Sequence, residues 1–124
     1  MDNKIEHINI AVTNRCNLSC RQCSIWQETP KKDISLENIS DILRSEVLDD
    51  DVDIALTGGE PFLHKNFRGI VKSVLEKKPG CLKSISTNGT LKDAMLDLFN
   101  SCAKSLSGFS LHISFDGITK HDEQ

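Results

Sequence analysis

The chain has 124 residues, 38% of them hydrophobic, which is enough for one domain built on a single core. Its 15 basic and 18 acidic residues give a net charge of −3, and this balance argues against nucleic-acid binding, which usually shows as a basic excess. There is no apolar run of roughly 18 residues and no basic-then-apolar N-terminus, so neither a membrane span nor a signal peptide is predicted.

The number of cysteines, five, indicates the redox environment in which the protein folds. An odd number without an export signal fits a reducing environment and metal ligation better than a disulfide framework, so we expect a cytoplasmic protein. Cys102 falls on the apolar stripe of a predicted helix, and Cys81 follows a Pro-Gly turn, where a thiol can be exposed. Neither is expected to take part in chemistry.

The first predicted element is a strand over residues 7–13. Ile8, Ile10 and Val12 alternate with other residues, and a period of two is typical of a strand. The strand leads directly into a segment with three cysteines. Because α/β folds place their chemistry at the C-terminal ends of strands, this junction is an expected position for a site.

Three of the five cysteines, Cys16, Cys20 and Cys23, lie within this one short segment. Three thiolates without a fourth cysteine nearby suit a cubane iron–sulfur cluster in which three irons are held by protein and the fourth is open. A pure electron carrier normally closes all four irons with cysteine, and a structural zinc site takes four ligands. The ligand count therefore favours a cluster with an open iron, which is a site for chemistry.

After a connector over residues 27–34, the next predicted element is a helix. Ser35 is a suitable N-cap, and apolar residues then recur at helical spacing. These are Leu36, Ile39, Leu43 and Val47. The helix is expected to end near Asp49–Asp51, an acidic run that fits a turn between helix and strand better than a divalent-cation site.

A second strand is predicted from the alternation of Val52, Ile54 and Leu56. It ends in the sequence Thr57-Gly-Gly-Glu-Pro61, a turn in which glycine allows the backbone to approach a ligand closely. The turn lacks the spacing of the known phosphate-binding loops, so phosphate is not the favoured ligand.

A second amphipathic helix is predicted over residues 67–75 and stops at Pro79-Gly80. A third strand over residues 82–88 ends in Ser86-Thr-Asn-Gly89, whose side chains can hydrogen-bond to a ribose or a carboxylate. An Asn-Gly hairpin turn is the alternative, and the helix predicted over residues 91–102 argues against it.

The fourth predicted strand covers residues 109–116 and has two distinct faces. Its apolar face carries Phe109, Leu111, Ile113 and Phe115, and its polar face carries Ser110, His112, Ser114 and Asp116. We expect the apolar face to pack on helices and the polar face to line an interior in which a substrate lies.

The order β-α-β-α-β-α-β, with connections of helical length, predicts an α/β fold with a parallel sheet and right-handed crossovers. This is part of a TIM-like (β/α) barrel, which four parallel strands cannot close. We therefore expect residues 1–124 to be the N-terminal portion of a single core domain in a longer gene product, with a cluster loop over residues 13–26.

The C-x3-C-x2-C spacing of Cys16, Cys20 and Cys23 resembles the cluster motif of the radical S-adenosylmethionine (radical SAM) superfamily, and the Gly-Gly-Glu-Pro turn resembles a second motif of that family. The resemblance extends over essentially the whole chain. It implies an enzyme whose [4Fe-4S] cluster binds S-adenosylmethionine at the open iron. Reductive cleavage of S-adenosylmethionine then gives a 5′-deoxyadenosyl radical that abstracts a hydrogen atom from a substrate.

The resemblance also implies which residues surround the two cofactors. The three motif cysteines would ligate the cluster. The residues expected around S-adenosylmethionine are Gln22, Gly58, Gly59, Glu60, Pro61, Ser86, Thr87, Asn88, Ser114 and Asp116. Gly58 and Gly59 would receive its amino group, and Glu60 would shape the site. Gln22 stands where the family often has an aromatic residue that packs near the adenine.

The expected partners are a small-molecule or peptide substrate and a reductant such as flavodoxin or ferredoxin, while neither nucleic acid nor a membrane is expected. Two alternatives stay open, namely a non-catalytic iron–sulfur or zinc-binding redox module and a catalytically inactive fragment. A non-catalytic cluster needs a fourth protein ligand, and its spectrum would not respond to S-adenosylmethionine.

Overall fold

The computed structural model describes residues 4–15, 32–106 and 108–113, along which strands and helices alternate. The elements are β1 (Ile5–Ala11), α1 (Leu36–Leu43), β2 (Leu48–Thr57), α2 (Phe67–Lys77), β3 (Leu82–Thr87), α3 (Lys92–Cys102) and β4 (Ser110–Ile113). Short 3-10 helices lie at Pro61–Leu63 and Ala103–Ser105. The predicted order of strands and helices is confirmed.

The four strands form one parallel sheet in the order β1-β2-β3-β4, so each strand pairs with the next one along the chain. One row of paired residues crosses the whole sheet through Asn9, Ala55, Ser84 and Ser110. A doubly wound fold reverses the strand order within the sheet, whereas a barrel continues in one direction. This order confirms the predicted α/β class and the arrangement of a partial (β/α) barrel, which is open within the described residues.

Helix α1 begins where it was predicted and ends earlier. The Ser35 side chain accepts a hydrogen bond from the Asn38 N–H at 3.0 Å, which satisfies one of the free donors of the first turn. The helix ends at Leu43, and Val47 lies outside it. The prediction that the helix runs on to the acidic segment was wrong, because the chain must turn before Leu48 for that side chain to be buried in the sheet.

The acidic run Asp49–Asp51 lies inside β2 and not in a turn, so that prediction was also wrong. The pairing of β2 with β1 is irregular here, because residues 49–52 stand opposite Glu6 alone. Such a bulge lets a strand carry side chains that point to solvent, and Asp50 and Asp51 are exposed. Within the described ranges, no group of three or more His, Cys, Asp or Glu is placed to hold a metal ion.

The helices cover one face of the sheet, where the core lies. Val52, Ile54 and Leu56 of β2 have no exposed surface, and the apolar stripe of α2 packs in the same core. Phe109 and Leu111, on the apolar side predicted for β4, pack against this core as expected. Ile113, predicted on the same side, is 52% exposed, so the prediction was wrong for that residue. None of the helices in the described residues is long and apolar enough to cross a lipid bilayer.

The two isolated cysteines belong to this core. Cys102 is buried on α3, as its position on the apolar stripe predicts. Cys81 is also buried, and its thiol donates to the backbone oxygen of Asp50 at 3.3 Å, so the suggestion that it is exposed was wrong. The reason is that its carbonyl oxygen accepts from the Ile54 N–H at 2.9 Å, which draws Cys81 into the sheet just before β3 begins. Burial raises the pKa of both thiols.

Candidate functional site

Two of the predicted site segments are described, and both lie at the carboxyl edge of the sheet. Gly58–Pro61 follows β2, and Ser86–Asn88 spans the end of β3. The remaining predicted site residues, Cys16, Cys20, Gln22, Cys23, Ser114 and Asp116, lie outside the described residues. Arg15 and Ile113 directly precede Cys16 and Ser114 in the chain, and both are described. Their contacts show how the chain is held just before each of these two residues.

The Gly-Gly turn after β2 packs directly against the segment that follows β1. The Gly59 N–H donates to the Thr13 carbonyl oxygen at 2.8 Å, and the Glu60 N–H donates to the Arg15 carbonyl oxygen at 2.6 Å. Gly58 has a φ of +143°, and a Cβ atom there would lie 2.5 Å from the Thr13 carbonyl oxygen. A Cβ atom on Gly59 would overlap the Arg15 carbonyl group. Glycine is therefore required at both positions, and the turn touches the residue that precedes the first motif cysteine.

The Glu60 side chain has no exposed surface and joins the turn after β2 to the end of β3. Its Oε1 accepts from the Thr87 hydroxyl and from the Asn88 N–H, both at 2.7 Å. Its Oε2 accepts from the Phe62 N–H at 3.0 Å and lies 2.8 Å from the same Thr87 hydroxyl. Protein donors thus satisfy both oxygens of this buried carboxylate, which cross-links the two turns.

The turn after β3 is shaped by its own side chains. The Asn88 Oδ1 accepts from the Thr90 N–H at 3.0 Å and from the Thr90 hydroxyl at 2.7 Å. The Gly89 N–H donates to the Thr87 hydroxyl oxygen at 3.2 Å. The hairpin alternative is excluded, because α3 follows this turn and β3 pairs in parallel with β4.

Residues 12–15 and 32–34 are joined through an antiparallel bridge, and we call this pair of short segments the neck. Two backbone hydrogen bonds of 2.8 and 3.1 Å cross the neck, and the Asn14 side chain accepts a third of 2.7 Å. The sequence between its two halves, residues 16–31, contains all three motif cysteines. The neck therefore fixes where that sequence leaves the sheet and where it returns.

Asp33 is the centre of the side-chain contacts in the neck. Its Oδ1 accepts from the Thr13 hydroxyl at 2.6 Å, and the Arg15 Nε donates to its two carboxylate oxygens at 3.1 and 3.2 Å. The Thr13 hydrogen bond, opposed in part by desolvation and helped by Arg15, holds the pKa of Asp33 below its usual value. Sequence reasoning missed Asp33 because it assigned residues 27–34 to a connector. The available signal was a threonine and an arginine before the first cysteine and an aspartate after the last.

His64 ties the neck to the segment that leads into α2. The residue is buried, and its Nδ1 accepts from the Asn66 N–H at 3.0 Å. The ring hydrogen is therefore on Nε2, which donates to the Ile34 carbonyl oxygen at 2.6 Å. Sequence patterning gave His64 no role, since a lone histidine carries no spacing signal.

The face of the sheet opposite the helices forms a polar groove of ≈ 270 Å³. Its lining residues are His7, Asn9, Ala55, Thr57, Ser84, Ser86 and His112. None of these seven residues is a lysine, arginine, aspartate or glutamate. The polar side predicted for β4 is thus one part of a surface that extends across the sheet to β1.

The sequence is similar to a protein family and to several named proteins. A family model described as the Radical SAM superfamily matches residues 10–121. Three similar proteins are each named GTP 3′,8-cyclase. The one from Campylobacter jejuni subsp. doylei is 33% identical over 111 residues, which are 86% of this chain and 35% of that protein. Those from Campylobacter curvus and Nautilia profundicola are 30% and 32% identical and cover 83% and 85% of this chain.

The chain spans about a third of the length of these curated relatives, at 35%, 36% and 37%. The family match nevertheless covers nearly all of this chain, from β1 through the three motif cysteines and the turns after β2 and β3. Members of the family are enzymes that use a [4Fe-4S] cluster and S-adenosylmethionine. The chain therefore belongs to the radical SAM superfamily.

Proposed function

We propose that this chain is the N-terminal part of the core domain of a radical SAM enzyme. Cys16, Cys20 and Cys23 ligate three irons of the [4Fe-4S] cluster, and S-adenosylmethionine occupies the open position. When bound, the reduced cluster supplies the electron that cleaves S-adenosylmethionine to methionine and a 5′-deoxyadenosyl radical, which removes a hydrogen atom from the substrate.

The contact between the Gly-Gly-Glu-Pro turn and the residues that precede the first motif cysteine is the observation that carries this proposal. Backbone hydrogen bonds of 2.8 and 2.6 Å join Gly59 and Glu60 to Thr13 and Arg15. The Gly-Gly-Glu-Pro motif therefore lies against the residue bonded to Cys16. Both motifs follow parallel strands at the carboxyl edge of the sheet, where open and closed α/β folds alike bind their ligands.

The residue types present suit both cofactors. Thiolates are soft ligands that favour the iron of a cluster, and three of them leave one iron open. Gly58 and Gly59 offer backbone groups without side chains, and we propose that this edge receives the amino group of S-adenosylmethionine. Glu60 acts indirectly, because its oxygens are already occupied by protein donors. Pro61 is buried at the first position of the following 3-10 helix and fixes the exit of the turn.

On the other side of the site, Ser86–Asn88 is proposed to act together with Ser114 and Asp116. The parallel register pairs Ile113 with Thr87, so the chain leaves β4 beside the turn after β3. The hydrogen bonds of Thr87 and Asn88 shape that turn, and Ser86 faces the groove. We propose that Gln22, next to the third motif cysteine, lies near the adenine.

The proposed partners are a small-molecule or peptide substrate and a reductant such as flavodoxin or ferredoxin. The cytoplasm is the proposed location, since cluster ligation requires reduced cysteines.

The test is anaerobic reconstitution of the full-length protein with iron and sulfide, followed by reduction and quantification of 5′-deoxyadenosine. We expect at least about four irons per chain, since one cubane cluster holds four. Cys16→Ala should lose about four of these irons and the activity, whereas the matched control Cys102→Ala, which alters a cysteine of the core, should keep its iron and its activity.

Two results would decide against the proposal. Protein that holds a cluster and forms no deoxyadenosine, even without substrate turnover, would contradict it. A cluster whose spectrum does not change on addition of S-adenosylmethionine would favour a non-catalytic redox module instead.

A further inference from the structure

We propose that Asp33 is a positioning residue for the iron–sulfur cluster, because it closes the neck and so holds the two ends of the cysteine-containing sequence together. The inference rests on the proposed function, since it takes the three motif cysteines to be cluster ligands. Asp33 is not itself a ligand. It acts through Thr13 and Arg15, on the opposite side of the neck.

Asp33 links the residues before the first motif cysteine to the residues after the last. Its carboxylate accepts from the Thr13 hydroxyl at 2.6 Å and from the Arg15 Nε at 3.1 Å. The Asp33 and Arg15 side chains are 23% and 44% exposed, so water screens their ion pair only in part. These bonds thus add a side-chain closure to the backbone pairing of the neck.

Arg15 is held by hydrogen bonds at its N–H, its carbonyl oxygen and its side-chain Nε. Its N–H donates to the Thr13 hydroxyl oxygen at 3.0 Å, its carbonyl oxygen accepts from the Glu60 N–H at 2.6 Å, and its side chain is held by Asp33. Arg15 is bonded to Cys16, and consecutive Cα atoms are only about 3.8 Å apart, so holding Arg15 in place limits the positions open to Cys16. Removing the Asp33 carboxylate frees the side chain of Arg15 and deprives the Thr13 hydroxyl of its acceptor.

The Asp33 side of the neck is itself anchored to the rest of the fold. The Ile34 N–H donates to the Val12 carbonyl oxygen at 2.8 Å, and the Ile34 carbonyl oxygen accepts from the His64 Nε2 at 2.6 Å. Asp33 therefore offers a fixed carboxylate and not one at the end of a free strand. An anchored Asp33 carboxylate can hold the Arg15 side chain in place, whereas a mobile carboxylate would move together with Arg15.

Closing the neck matters for ligand binding because three thiolates must converge on one cluster. A loop whose ends are held together has less conformational freedom to lose when its ligands bind. Residues that orient metal ligands without touching the metal typically change affinity by about 10- to 100-fold when they are replaced. We expect an effect at the lower end, about tenfold, since the backbone hydrogen bonds of the neck remain.

The experiment compares iron release from reconstituted full-length protein under anaerobic conditions, with a ferrous chelator in excess. The variants are Asp33→Ala, Asp33→Glu and the control Asp41→Ala, which removes an exposed ion pair between Asp41 of α1 and Arg44, the residue that follows the helix. Asp33→Ala should release iron about tenfold faster than wild type, Asp33→Glu should recover part of the difference, and the control should match wild type. The electron paramagnetic resonance spectrum of the reduced cluster, and its response to S-adenosylmethionine, should change only in Asp33→Ala.

Iron release from Asp33→Ala at the wild-type rate, with an unchanged resonance spectrum, overturns the proposal. Faster release that is matched by loss of circular dichroism at the same temperature also overturns it, because general unfolding then explains the loss. If Asp33→Ala does not fold, Thr13→Val, which removes the hydroxyl donor to Asp33 together with the acceptor of the Arg15 N–H, must show the same faster release. Wild type that retains iron but yields no deoxyadenosine refutes the proposed function and leaves this measurement valid.

Discussion

Replacing Glu60 by glutamine should destabilise the protein, because an amide cannot satisfy the donors around this side chain. The Asn88 N–H points at Oε1 and the Phe62 N–H points at Oε2, while the Thr87 hydroxyl lies between the two oxygens. Glutamine keeps one accepting oxygen and replaces the other by an NH2 group. In either orientation of the amide, that group faces a backbone N–H, and one part-buried donor loses its acceptor.

Two contributions set the size of the effect. An unpaired buried donor costs about 1–3 kcal/mol, and hydrogen bonds to a charged acceptor are stronger than those to a neutral one by about 1 kcal/mol. Glu60 has no exposed surface, so water does not replace the lost acceptor. We expect the free energy of unfolding to fall by about 3 kcal/mol, a large part of the roughly 5–15 kcal/mol that is typical of a domain.

Urea denaturation of the iron-free protein, followed by circular dichroism, measures this difference. Glu76→Gln is the matched control, because it makes the same chemical change at an exposed position of α2 and should shift stability by no more than about 0.5 kcal/mol. Thr87→Val removes the hydroxyl from the same group of contacts, so the double variant should be less destabilised than the sum of the two single ones. Glu60→Gln within about 0.5 kcal/mol of wild type would refute this account of the buried carboxylate.

Three further predictions concern the turn, the neck and the core. Gly59→Ala should destabilise the protein by about 2 kcal/mol or more in urea denaturation, because its Cβ overlaps backbone, whereas Gly69→Ala in α2 meets only a side chain at 3.4 Å and should be neutral or slightly stabilising. The Thr13 hydrogen bond lowers the pKa of Asp33 from 3.8, so its stabilisation is complete above that pH and is lost as the pH falls through the lower folded-state value. The urea midpoints of wild type and Asp33→Asn should therefore differ near neutral pH and converge in acid, and a constant difference would contradict this. Since burial raises its thiol pKa, Cys81 should react with iodoacetamide only on unfolding, as mass spectrometry after timed labelling would show, and rapid labelling of native protein would disagree with its burial.

The features that could be predicted from sequence are those set by neighbouring residues. The alternation of Val52, Ile54 and Leu56 indicates a strand because successive side chains of a strand point to opposite faces of the sheet. This pattern is local and does not depend on the rest of the chain. The Ser35 N-cap depends only on a donor three residues away. In the same way the Gly-Gly turn marks the end of β2, so the position of the candidate site at the carboxyl edge of the sheet followed from local patterns.

The features that were missed depend on contacts between distant residues. The acidic run was assigned to a turn because its place in a bulge is set by the pairing of the flanking residues Leu48 and Asp53 with Ile5 and His7, which lie far away in sequence. The side-chain partners of Glu60 and of Asp33 are likewise brought near only by the parallel pairing of strands and by the neck. Periodicity carries no information about such pairs, so the motif residues could be named while the hydrogen bonds that hold them could not.

The strand order has a practical consequence for anyone who purifies this chain. Within the described residues β1 and β4 are outermost, and each pairs on one side only. Such strands present rows of backbone donors and acceptors that readily capture a strand from another molecule. Concentrated samples should therefore be watched for self-association by light scattering, and dilute solutions are the safer choice for spectroscopy.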